Sequence, residues 1–362
     1  MILGFLFPIG GGFNDLAKTG QDRRFIDLDL KAYSQYFKKL LIFSYLNEKR
    51  RSYDNCRLVS NKRNIHRYIY SIILPFINKV EFKNISILRC SHLTATIPAI
   101  ISKLLYKTPF VFNYAYDYKY FLKIEKRYFL VFLIHLWEYL ALRLANGIIA
   151  STPEITDKLN SLKLKNIKYI PNGVDLNIFK PNNKIKKNHF EILYVGRLEK
   201  QKNLMNLILA VSKLKQKRKY ILHFVGDGSL KYQLIQMAKK HKVNLKVSSF
   251  VPNDQLPQFY NRAEVFSLVS LTEGFPKVML EAQACGLPVL VSATFGKSII
   301  KEGKTGILCK TGSSDIASKL ELLFSNRDLR YKLAKKARLD VSKNYSIQKL
   351  LKVEIDFLKS LV

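Results

Sequence analysis

The sequence predicts an α/β protein built from two doubly wound, parallel-sheet domains facing each other across a cleft. Three observations predict it. Short apolar or β-branched runs alternate with helically spaced segments along the chain, the signature of βα units. They fall into two series, separated by a stretch rich in Pro, Asn and Lys over residues 166–188. The length, 362 residues, is about twice what one hydrophobic core usually organises. The predicted boundaries are a first domain over 1–170, a linker over 171–188, a second domain over 189–342 and a C-terminal helix over 343–362 that packs back toward the first domain.

In the first series, residues 2–7 read as a strand that ends at Pro8 and the loop Gly10, Gly11, Gly12. Helical spacing follows over 23–39, and 39–45 returns as a strand. Further strands are expected at 85–90, 109–113 and 147–150, with helices between. The second series has strands at 190–195, 220–225, 245–250, 265–270 and 288–291, each bounded by Gly, Pro or Asn. Helical stretches over 203–215 and 230–241 lie between them. In open sheets of this kind, ligands bind outside the carboxyl ends of the strands.

Composition narrows the function classes. Hydrophobic residues at 48% and charged residues at 24% exclude disorder. A net charge of +34 attracts nucleic acid, anionic lipid or phosphorylated small molecules without choosing among them. Nucleic acid ranks last, because no aromatic RNP pattern, zinc-finger spacing or basic helix is present. Cys56, Cys90, Cys285 and Cys309 form no C-x-x-C pair, which suggests neither a zinc site nor a disulfide framework and fits a cytoplasmic setting. The apolar stretch 128–145 contains His135, Glu138 and Arg143, so a buried or interfacial helix is expected there instead of a membrane span.

The most informative segment is T-E-G-F-P-K-V-M-L-E-A-Q-A-C-G-L-P-V, beginning at Thr272. Glu273 falls in the loop after a strand, and Pro276 suits the first turn of a helix, where its missing N–H is not needed. Backbone amides near Gly274, Phe275 and Pro276 open that helix, whose positive end favours an anion such as a diphosphate. Glu281 lies in the same helix's first turns; two carboxylates there suit sugar hydroxyls as acceptors better than they suit phosphates. Upstream, Y-V-G-R-L-E-K-Q-K-N places Gly196 at a strand end, followed by Arg197 and Lys202, a guanidinium fork and a compact ammonium able to neutralise a departing diphosphate. A further glycine-containing turn spans Gly226, Asp227 and Gly228.

These segments, with F-V-G-D-G and the earlier Y-I-P-N-G-V-D, resemble in order and spacing the retaining, nucleotide-sugar-dependent glycosyltransferases of family 4, also called glycosyltransferase group 1, over residues 145–325. The resemblance implies the GT-B fold of two Rossmann-like domains, with the nucleotide-diphosphate sugar held by the second. It implies that Arg197 and Lys202 hold the donor diphosphate in place of a metal, that Glu273 contacts the transferred sugar and that Glu281 binds the ribose hydroxyls. Gly274, Phe275, Pro276, Lys277 and Val278 line the sugar and diphosphate subsite. Gly196, Gly226–Gly228 and Phe250, Val251 and Pro252 border the nucleotide. No cofactor and no bound metal are expected. The implied activity is retaining transfer to a glycan or lipid-linked acceptor, in cell-envelope polysaccharide or lipopolysaccharide biosynthesis. The alternatives are a phosphorylase or synthase of the same fold, which needs a further phosphate site, and a noncatalytic partner subunit, which the intact set Arg197, Lys202, Glu273 and Glu281 argues against.

The chain departs from the family in two places. After the strand ending near Ser292 it has Phe295, Gly296 and Lys297 where a double glycine and an acidic residue are common. In the first half, the histidine usual after the strand at 109–113 is replaced by the neighbourhood of Tyr116 and Asp117, leaving His92 as the other candidate on the acceptor side. Either Gly10, Gly11 and Gly12 or Gly20 and Gln21 could approach phosphates. Finally, residues 116–144 interleave lysines with Tyr, Phe and Trp, which predicts peripheral contact with the cytoplasmic face of a membrane.

Overall fold

A computed structural model describes residues 1–18, 20–49, 53–115, 128–185, 187, 189–216 and 219–362. Contacts divide the chain into two units: Met1–Pro171 together with Gln348–Val362, and Asn172–Ile347.

The first unit holds a seven-stranded sheet, all parallel: β1 (Ile2–Leu6), β2 (Lys39–Phe43), β3 (Cys56–Val59), β4 (Ile87–Cys90), β5 (Phe110–Tyr114), β6 (Gly147–Ala150) and β7 (Ile167–Tyr169), in the order β3-β2-β1-β4-β5-β6-β7. The direction of winding reverses between β1 and β4, which makes the carboxyl ends of those strands the switch point. β4 and β6 are buried along their whole length, as expected for parallel strands covered by helices on both faces. β3 is an edge strand and carries the polar Arg57, so apolar patterning does not announce it. β7 lies within residues that read as the start of a linker, because its three residues end against Pro171. The helical segment expected over 23–39 runs without a break from Asp22 to Tyr36 and contains a π-helical turn at Phe25–Leu30.

The second unit holds six parallel strands: β8 (Phe190–Val195), β9 (Tyr220–Val225), β10 (Leu245–Ser248), β11 (Val265–Leu268), β12 (Val289–Ser292) and β13 (Ile307–Cys309), ordered β10-β9-β8-β11-β12-β13. Its switch point lies between β8 and β11. Within residues 171–188, Val174 and Phe179 are buried in this unit's core, and the Val174 amide donates to the Tyr345 carbonyl. Its strands end two residues before the apolar runs do, at Ser248 and Leu268, because the chain turns into loops there.

The last helix, Ile347–Lys359, returns to the first unit. There the buried Glu354 accepts from Arg89 Nε at 2.6 Å and from the Tyr33 hydroxyl. Gly147 permits the close approach: a Cβ at that position would stand 2.6 Å from Leu361 and 2.8 Å from Phe357.

Candidate active site

The switch point of the second sheet gathers the predicted residues. The loop leaving β8 carries Gly196 and Arg197 and then a 3-10 turn, Lys200–Lys202; the loop leaving β11 carries Glu273 to Pro276 and enters the helix Lys277–Ala284. Neighbouring parallel strands with their crossovers on opposite faces leave these two loops side by side. Lys202 Nζ meets Glu273 Oε1 at 2.6 Å, and both side chains are largely shielded from solvent. The Ser270 hydroxyl donates to the same oxygen at 2.7 Å. Among the described residues Glu273 Oε2 has no partner, and neither does the exposed Arg197 guanidinium.

Side-chain amides bind the two loops together. Gln201 donates to the Thr272 carbonyl at 2.8 Å, and the Leu271 amide returns a bond to the Gln201 carbonyl. Asn203, whose φ of 59° lies in the left-handed region that Asn tolerates, donates to the carbonyls of Val269 and Thr311. Beneath them the Tyr194 hydroxyl donates to the Arg197 carbonyl at 2.7 Å. Burial, with Glu273 nearby, pushes that phenol well above its ordinary pKa, so it remains a donor. Gly196 must be glycine, since its φ is 147° and a Cβ would stand 2.8 Å from the same hydroxyl oxygen.

The loops after β9 and β10 border the site. Gly226 (φ 142°) presses against the Gly196 carbonyl, and a Cβ on Gly228 would fall 2.5 Å from the Leu198 carbonyl oxygen. Asp227 is exposed, and hydrogen bonds from the Gly228 amide and Lys231 hold its carboxyl below the usual range. Phe250 is exposed after β10, while Val251 and Pro252 lead into a turn whose Asn253 donates to Glu281 Oε1 at 2.9 Å.

Pro276 is the N-cap of its helix and Lys277 the first helical residue, so the proline stands one position before the expected first turn. The first amides of a helix have no intrahelical acceptor, and those of this helix open beside Lys202 and Glu273. Asn172 fixes the approach by donating to the Phe275 carbonyl at 2.6 Å, and the Phe275 ring packs on Tyr345 at 5.4 Å. Val278 follows Lys277 in the first turn. Glu281 is buried, and its second oxygen accepts from the Tyr260 hydroxyl at 2.9 Å.

Asn253, Tyr260, Ser270, Gln201 and Asn203 are thus site-building residues that the sequence does not single out. Asn203 closes the V-G-R-L-E-K-Q-K-N segment and Asn253 follows Phe250–Pro252, so proximity to the motifs is their only signal. Among the described residues no group of three or more His, Cys, Asp or Glu is arranged to hold a metal.

The first unit treats its candidates differently. Gly11 and Gly12 follow β1 and His92 follows β4, so they share that sheet's switch point. The amides of Phe13 and Asn14, which open the helix after Gly12, donate to the buried Glu48 carboxylate at 2.9 and 2.8 Å. The loop therefore holds an internal carboxylate where a phosphate was expected. Gly20 (φ 62°) reverses the chain after the helix Phe13–Lys18, and the Gln21 amide bonds back to the Leu16 carbonyl, which makes its role a helix C-terminal stop. Tyr116 and Asp117 lie outside the described residues.

Residues 176–340 match the family Glycosyl transferases group 1. An uncharacterized glycosyltransferase of Methanocaldococcus jannaschii is 29% identical over 247 residues, covering 62% of this chain and 63% of that protein; the alignment thus spans under two thirds of the relative's length. Among solved structures, a sucrose-phosphate synthase from Thermosynechococcus elongatus superposes with a TM-score of 0.80 at 17% identity, over 99% of this chain and 98% of that one. The Anabaena protein HepE in complex with UDP-glucose superposes with a TM-score of 0.74 at 17% identity, over 99% of each chain. At that identity both structures speak to the fold alone. Residues 176–340 are thus similar to glycosyl transferases group 1, and the chain has the GT-B fold of two Rossmann-like α/β domains.

Proposed function

We propose that the chain is a retaining glycosyltransferase that moves a sugar from a nucleoside diphosphate sugar to a glycan or lipid-linked acceptor, in the cytoplasm, for cell-envelope polysaccharide or lipopolysaccharide assembly, and without a metal. The observation that carries this reading is the Lys202–Glu273 pair beside the unpartnered Arg197 at the helix opening on Lys277. The similarity of the second unit to that family supports it, as does the fold shared with a protein crystallised with UDP-glucose.

In this reading the bond between the anomeric carbon and the β-phosphate oxygen breaks, and negative charge grows on the departing diphosphate. Arg197 and Lys202, with the amides at the helix start, stabilise that charge and take the place of a metal. The acceptor hydroxyl oxygen bonds the anomeric carbon from the same face, and its proton passes to the departing phosphate oxygen. Glu273, steadied through Oε1 by Lys202 and Ser270, offers Oε2 to a hydroxyl of the transferred sugar. Glu281, oriented by Asn253 and Tyr260, is the carboxylate that binds the ribose hydroxyls. Gly196, Gly226–Gly228 and Phe250–Pro252 border the nucleotide.

The test is the anomeric configuration of the first product, followed by NMR from a donor of known anomer. Retained configuration, formed equally with and without EDTA, is expected. Inversion, or activity restored only by Mg²⁺ or Mn²⁺, overturns the reading.

A further inference from the structure

Three neighbouring helices of the first unit, Arg67–Ile77, Thr96–Tyr106 and Tyr128–Leu144, cover one face of its sheet. Their mutual packing is fixed by named bonds: the Tyr106 hydroxyl donates to the Pro75 carbonyl at 3.2 Å, and Trp137 Nε1 donates to Thr96 Oγ1 at 2.8 Å. The third helix is apolar on both sides, with Ile134, Trp137 and Ala141 packed toward the sheet's core. Glu138 is buried against the Tyr114 hydroxyl, while Phe132 and Leu136 point outward. Ile69, Ile72 and Phe76 of the first helix and Leu104 of the second do the same, and each of these six side chains is at least 51% exposed. Isolated exposed apolar side chains are ordinary, but an apolar face shared by three packed helices marks an interaction surface.

Charge identifies the occupant. Among the described residues of these helices and the adjoining helix Lys79–Asn84, the carboxylates are Glu138, which is buried, and Glu81, which pairs with Arg57 at 3.3 Å. The cations Arg67, Lys79, Lys83, Lys107 and Arg143 are exposed around the apolar side chains. A second copy of the chain would bring the same cations against each other. An anionic bilayer surface complements both features, since it buries the apolar side chains at headgroup depth and neutralises the rim. None of the described helices is long and apolar enough to cross a membrane, so contact is lateral. We propose that this three-helix face docks on the surface of a membrane containing anionic lipid. Of the residues 116–144 expected to make such contact, 116–127 lie outside the described residues, and the helices Arg67–Ile77 and Thr96–Tyr106 extend the surface beyond that stretch.

The experiment is flotation of the full chain with vesicles of phosphatidylcholine alone or with about one-third phosphatidylglycerol, at low and high salt. Binding to the anionic vesicles is expected, weakening at high salt and falling by about fivefold for each rim cation that mutation removes. Two variants, Ile72→Glu with Phe76→Glu and Leu104→Glu with Phe132→Glu, should lose at least about tenfold in binding while keeping the wild-type melting temperature, because the replaced side chains are exposed. Equal recovery with and without vesicles overturns the proposal. So does unchanged binding by both variants, or a dimer in light scattering that both variants abolish. Vesicle binding rests on the first unit and nucleotide binding on the second, so a failure of docking leaves the glycosyltransferase reading standing, and the reverse.

Discussion

Replacing Lys202 and Arg197 separately distinguishes two cations that the sequence leaves equivalent. At 2.6 Å, and with an effective dielectric of about 20, the attraction between Lys202 and Glu273 is ~6 kcal/mol before desolvation is subtracted. The side chains are only 13% and 12% exposed, so deleting the lysine strands a shielded carboxylate, a loss that typically costs about 3–5 kcal/mol. Ser270 continues to donate to Glu273, which favours the lower end, about 3 kcal/mol. For a unit the size of Asn172–Ile347 that amounts to roughly 6–12 °C in Tm. Lys202→Ala should therefore lose both stability and turnover, and adding Glu273→Gln should restore most of the stability but none of the turnover. Arg197→Ala removes an exposed, unpartnered group and should keep Tm within about 1–2 °C, yet lose on the order of a hundredfold in turnover. The assays are differential scanning fluorimetry and nucleoside diphosphate release. Equal Tm for wild type and Lys202→Ala, or a large fall for Arg197→Ala, would refute this reasoning.

Other outcomes follow from the same geometry. Gly226→Ala places a methyl against the Gly196 carbonyl at a φ of 142° and should cost at least about 2 kcal/mol in urea unfolding. Burial pushes the Cys285 and Cys309 thiols up to about 12 and raises Cys90 further, so a thiol reagent at pH 8 should modify Cys56 first and the other three only on unfolding. These thiols, and Tyr70, also pushed up to about 12, bind their protons more tightly when folded. Their contribution to stability is therefore fully present below pH ~9 and is lost as pH rises through about 12, which alkaline melts should show as a falling Tm.

The sequence carries much of this architecture in particular residues. The buried strands β4, β6, β11 and β12 are short, mostly apolar runs bounded by turn residues, with Arg89 the one charge among them, which is why they are legible. Edge strands β3 and β7 are short and each carries a basic residue, and edge strand β13 is only three residues long, so their pairing partners define them. Arg197, Lys202, Glu273 and Glu281 stand out because charged side chains near Gly and Pro at strand ends are unlike core positions. That Lys202 and Glu273 form one pair is not legible, since 71 residues separate them and the strand order β8-β11 brings them together. Glu48 is hidden for the same reason: an acidic residue amid Lys and Arg reads as surface, but the fold places it on the amides after Gly12. The docking face is the opposite case, because a helix with apolar residues on its outer side has the same periodicity as one with them on its inner side.

The central claim is that the switch point of the second unit binds a nucleoside diphosphate sugar. Its most direct test is the melting temperature of the chain against UDP, GDP, ADP and their sugars, for wild type and Arg197→Ala. A ligand at about a hundred times its Kd stabilises the folded state by about 2.7 kcal/mol, or roughly 5–10 °C for a unit of this size. One base should produce that shift in the wild type, and Arg197→Ala should lose most of it while its unliganded Tm is unchanged. No shift with any of the three bases at millimolar concentration, or an equal shift in Arg197→Ala, would contradict the account.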